Sequence, residues 1–146
     1  MNSLDPSRLP SLQELQTTRA QVEKEIEFLS TSHGQLMEAK AKCVDNMAMI
    51  DHLGDIPAGQ PMLAAVSNSM FLPIELVEND RVITDIGAGF LIDRGCQDGK
   101  DHFQRKIDTI VDNVKKVETA LVNKQNAAKF LGEAMRVKAA AGGDKD

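Results

Sequence analysis

The chain has 146 residues, a formal net charge of −5 and a pI near 5.2. That balance argues against nucleic-acid or anionic-membrane binding, and no apolar run approaches the roughly 20 residues that a transmembrane helix needs. With no Trp, no Tyr and only five Phe, the chain also lacks the aromatic side chains that usually fill a compact core.

The opening residues MNSLDPSRLP have neither the apolar run nor the basic flank of a secretory leader, so an intracellular, soluble chain is expected. The first helix is expected over about 11–53. Ser11 followed by Glu14 forms a capping box, with Pro10 just outside it. Leu15, Val22, Leu29, Leu36, Cys43 and Ile50 then recur at heptad spacing. The companion positions Leu12, Arg19, Ile26, His33, Lys40 and Met47 are mixed in character. Within this segment Ser30-Thr31-Ser32-His33-Gly34 is poor helix material. Leu29 and Leu36 keep their register on either side of it. The helix is therefore expected to run through, held by packing against a second helix.

Gly54, Pro57, Gly59 and Pro61 predict a loop over 54–63. Two apolar stretches follow over 64–94. The first puts Val66, Met70, Leu72, Ile74 and Leu76 on one face at period two, and the second does the same with Val82, Thr84, Ile86, Ala88, Phe90 and Ile92. A turn at Glu78-Asn79-Asp80 separates them. Pro73 and Gly87-Ala88-Gly89 are expected to break each stretch, giving two short hairpins. Such hairpins are not stable alone in water, so the sequence asks for an oligomer.

The second helix is expected over 96–138. Phe103, Ile107, Ile110, Val114, Val117 and Leu121 step by fours and threes, and the seam weakens through Lys124, Ala128, Leu131 and Met135. Residues 139–146 read as a flexible tail. The fold class is α+β, one domain over 1–146. An antiparallel two-helix coiled-coil hairpin carries two short β-hairpins between its helices.

Few residues suggest chemistry. Cys43 and Cys96 lack CxxC or metal-ligand spacing and read as reduced thiols. His33, His52 and His102 form no ligand set, and Gly87-Ala88-Gly89 lacks a phosphate-loop signature. No catalytic residue, cofactor or metal is expected. The competing reading of the heptads is a structural coiled-coil adaptor, which would have no need of apolar-faced hairpins.

EFLSTSHGQL in the first helix, SNSMFLP and VITDIGAGFLIDR in the strands, and DGKDHFQRKID opening the second helix resemble the prefoldin family, in its α-type branch. The resemblance runs from about Leu9 to Met135. It implies a heterohexamer of this chain with one other α-type and four β-type subunits, whose strands join into a β-barrel. It further implies ATP-independent capture of unfolded actin and tubulin and their delivery to the cytosolic chaperonin, in the cytoplasm and with the nucleus as a second compartment. On that footing Val66, Met70, Leu72, Val82, Ile86 and Phe90 are the expected subunit interface. Leu12, Phe130, Leu131 and Met135 are the expected client-binding tip, where the thinned seam at Lys124 and Ala128 would let the helices splay.

Overall fold

The computed structural model describes residues 9–142. Helix α1 (Leu12–Asp55) leads to strands β1 (Pro61–Ser67), β2 (Met70–Glu75), β3 (Arg81–Asp85) and β4 (Leu91–Gly95), then to helix α2 (Cys96–Gly142). The chain divides into two compact units. One combines α1 up to Met37 with α2 from Asp112 onward; the other is Glu38–Val111.

In the first unit α1 starts on its capping box. The Glu14 N–H donates to Ser11 Oγ at 3.2 Å, while the Ser11 N–H and O–H both donate to Glu14 Oε2 at 2.9 Å. Leu15 and Val22 are buried and Leu29 and Leu36 half-buried, so the heptad stripe faces α2. Lys138 Nζ donates to the Leu9 carbonyl at 3.0 Å, Lys124 pairs with Glu25, and His33 Nε2 lies 3.3 Å from Glu118 Oε1. Partners descend along α2 as they ascend along α1, which makes the two segments antiparallel. The Ser30–Gly34 patch is helical throughout. Thr31 Oγ1 donates back to the Glu27 carbonyl at 3.0 Å, satisfying its hydroxyl without breaking the helix.

In the second unit Cys43 and Ile50 are buried on α1, and Lys100 of α2 pairs with Asp51. The strands form two separate antiparallel hairpins, β1-β2 and β3-β4. β1 begins at Pro61, inside the stretch expected to be loop, because Pro61-Met62-Leu63 pair with Pro73-Ile74-Glu75. Pro73 does not break the first stretch; the turn falls at Asn68-Ser69 instead, where the residue types favour it. The reason Pro73 is accommodated lies in the ladder. The Leu76 N–H donates to the Gln60 carbonyl at 3.1 Å, which marks 60 and 76 as a hydrogen-bonded pair. Such pairs alternate with non-bonded ones along an antiparallel ladder, so Pro61–Glu75 and Leu63–Pro73 are non-bonded. Both proline nitrogens thus face away from the partner strand, and no ladder bond is lost.

The second hairpin turns where expected. Gly87, Ala88 and Gly89 have φ of 101, 51 and 79°, a left-handed run that the flanking glycines adopt without steric cost. Asp85 Oδ1 accepts from the Gly87 N–H at 2.8 Å and fixes the entry to the turn. At the other end of the chain, α2 continues to Gly142, so 139–142 are helical rather than tail, in keeping with the alanines there. Residues 143–146, the rest of the expected tail, lie outside the described residues.

Candidate subunit interface and client-binding tip

The hairpins expose apolar side chains on both faces. Cross-strand pairing puts Met62, Ala64, Leu72 and Ile74 on one face of the first hairpin and Leu63, Ala65, Phe71 and Pro73 on the other. Met62 and Ala64 are half-buried, whereas Leu63, Phe71, Leu72 and Ile74 are exposed. Val66 falls in a bulge between Ala65 and Ser67, and both it and Met70 are exposed.

In the second hairpin Val82, Thr84, Ile92 and Arg94 share a face. Thr84 is buried, and Val82 packs against the start of α2: a Cβ built on Gly99 would lie 2.9 Å from Val82 Cγ2. Of the six expected interface residues, Val82 is therefore engaged by its own chain, while Val66, Met70, Leu72, Ile86 and Phe90 are exposed. The opposite face carries Ile83 and Leu91, exposed by 72% and 67%. Beside them Arg81 grips Asp93 through Nε at 3.1 and 3.2 Å and Nη2 at 2.9 Å, a fork that raises the Arg81 pKa further. The expected interface left out Leu63, Phe71, Ile83 and Leu91, which are exposed as well. The signal was present in the unbroken apolar run MFLPI, which fits a strand covered on both faces better than one covered on a single face.

At the far end of the first unit the expected splaying does not occur. Leu15 is 4% exposed and Ala134 0%, and the Lys138 and Lys124 contacts cross between the helices on either side of them. The thin seam closes because the small Ala134 permits close approach and the Lys124 ammonium meets a carboxylate. Leu131 and Met135 are consequently half-buried, and only Leu12 and Phe130 of the expected tip residues are exposed. Phe28 and Val122, level with each other in the antiparallel register, add exposed apolar surface that the heptad reading passed over.

Among the described residues no group of His, Cys, Asp or Glu could hold a metal ion. Among the same residues no helix is long and apolar enough to cross a membrane. The arrangement offers surfaces for proteins, made of exposed strands in one unit and exposed helical side chains in the other.

Two antiparallel helices with two small hairpins between them are the architecture of a prefoldin subunit. Residues 11–141 match the family described as prefoldin subunit, and the chain belongs to it. The human protein named prefoldin subunit 5 is 31% identical over 128 residues, covering 88% of this chain and 83% of its own. A Dictyostelium discoideum protein named probable prefoldin subunit 5 is 36% identical, covering 80% of this chain and 72% of its own. The filamentous prefoldin of Methanocaldococcus jannaschii shares the fold at a TM-score of 0.70 and 16% identity, over 77% of this chain and 93% of that one. Prefoldin subunits are chaperone components and work as oligomers.

Proposed function

We propose that this chain is an α-type subunit of a heterohexameric prefoldin, joined by one other α-type and four β-type subunits. The hexamer captures unfolded actin and tubulin without ATP and passes them to the cytosolic chaperonin, in the cytoplasm. The observation that carries the reading is the hairpin pair with apolar side chains exposed on both faces. Isolated two-stranded sheets of this kind are marginal in water, and burying one large apolar side chain contributes about 1.5–3 kcal/mol. An adaptor built only on its coiled coil would gain nothing from them.

Val66, Met70, Leu72, Ile86 and Phe90 supply the interface, with Leu63, Phe71, Ile83 and Leu91 beside them. Phe130 and Phe28 supply client contacts on the helices, with Leu12 adding to them; Leu131 and Met135 support that surface from the seam. The test reconstitutes the hexamer with Phe28→Ser and Phe130→Ser in this subunit and measures suppression of denatured-actin aggregation. An intact hexamer with reduced suppression is the expected result. Full suppression by the variant would remove these side chains from client capture.

A further inference from the structure

Most of the surface charge is acidic, yet one part of the second unit is crowded with cations. Arg94 on β4 and His102, Arg105 and Lys106 on α2 lie close enough that the three longer side chains each depress the ionisation of the imidazole. Burial is the larger cause of that depression, and no carboxylate offsets it. None of Arg94, Arg105 and Lys106 has an ion-pair partner among the described residues. Asp101 and Asp108, one turn to either side of Arg105, accept instead from Gln97 and Gln104 at 3.0 and 2.9 Å. The Nε of Arg94 and the Nε2 of His102 are buried without a hydrogen-bond partner among the described residues.

A groove of about 460 Å³ runs beside this cluster. Arg105 and Lys106 stand on its wall, and Cys43 and Ile110 line it. We propose that this groove docks an extended acidic segment of a partner protein, its carboxylates on Arg105 and Lys106 and its intervening small side chains over Cys43 and Ile110. A bound carboxylate supplies the counter-charge that the cluster lacks. A nucleic acid fits less well. Phe103 is held edge-on to His102 with centroids 5.4 Å apart, and the chain has no Trp or Tyr on which a base could stack. The site is remote in kind from client capture: it reads charge, and its occupant need not be unfolded.

The experiment titrates the full chain into a fluorescein-labelled oligo-glutamate, followed by fluorescence anisotropy, beside an oligo-glycine-serine and a single-stranded oligonucleotide. Saturable binding of the oligo-glutamate alone is expected, weakening as salt rises. The charge-reversed pair Arg105→Glu and Lys106→Glu should weaken it by about tenfold or more, while Lys116→Glu with Lys129→Glu should leave it unchanged. Circular dichroism verifies that each variant is folded, and Arg105→Gln with Lys106→Gln gives a milder test in the same direction. Equal binding by the reversed variant, absence of saturable binding, or preference for the oligonucleotide would each overturn the proposal.

Discussion

Asn79, midway between the two hairpins, closes the end of α1: its Nδ2 donates to the Ile56 carbonyl at 2.9 Å and to the Gly54 carbonyl at 3.4 Å. Carbonyls at a helix C-terminus have no partner within the helix, and here a side chain more than twenty positions along the chain provides one. The same turn reaches α2, since the carbonyl of Asp80 accepts from the Cys96 N–H at 2.8 Å. Asn79→Ala should therefore lower stability by about 1 kcal/mol or somewhat more, the loss of a hydrogen bond that leaves a part-buried carbonyl bare. Urea unfolding followed by circular dichroism measures it, and Asn79→Asp should be worse because its carboxylate faces carbonyl oxygens.

Two helical glycines predict opposite outcomes. A Cβ on Gly34 would meet open space, so Gly34→Ala should stabilise α1 by about 1 kcal/mol through propensity alone. A Cβ on Gly99 would lie 2.9 Å from Val82 Cγ2 and 3.3 Å from Ile50 Cδ1, so Gly99→Ala forces a shift of β3 against the helices. Overpacking of this kind costs about 1–3 kcal/mol. Combining it with Val82→Ala should recover part of the loss, a coupling that thermal melts of the single and double variants would reveal.

Assembly should depend on the exposed strand residues rather than on Val82. Ile86→Asp places a charge on the expected interface, where burial without a partner costs several kcal/mol by rough estimate. Size-exclusion chromatography of reconstituted subunits should show loss of the hexamer with this variant. The pair Ile83→Ser and Leu91→Ser tests the second face in the same way, and an unaltered hexamer would confine the interface to the Ile86 side.

The start of α1 should respond to acid. Donation from the Ser11 N–H and then from its O–H holds the Glu14 carboxyl below its usual value of 4.5. A depressed carboxylate stabilises the folded form above the unfolded-state pKa, and that contribution is lost as pH falls through the lower folded value. Protection of the first-turn amides of α1, taken as exchange relative to the intrinsic rate at each pH, should therefore fall below the ordinary glutamate range. Glu14→Gln should speed exchange at neutral pH and flatten the dependence.

Much of this architecture was legible in the sequence because periodicity reports burial directly. The spacing of Leu15, Val22, Cys43 and Ile50 identified the α1 stripe, and Ser11 with Glu14 identified its start. The glycines around Ala88 identified the second hairpin turn. The first hairpin was misread at Pro73 because a proline's effect depends on which way its nitrogen points, and that follows from ladder parity set by the partner strand. The splaying was misread for a similar reason: whether a Lys thins a seam depends on the residue facing it, and Glu25 faces Lys124. The second apolar face was obscured by Asp85 and Asp93, charged residues that share it with Ile83 and Leu91.

The prolines of the first hairpin carry one more consequence. With their nitrogens turned outward, Pro61 blanks a donor on the free side of β1 and Pro73 blanks one on the free side of β2. A strand arriving at either margin finds a missing tooth at a fixed height. Any strand pairing across that position leaves an acceptor unmatched, which disfavours continuous pairing along either margin. Identical hairpins are also discouraged from zipping into endless ribbons, since each would meet its own gaps. Restoring a donor with Pro73→Val would close that gap and make the β2 margin easier for another strand to pair with.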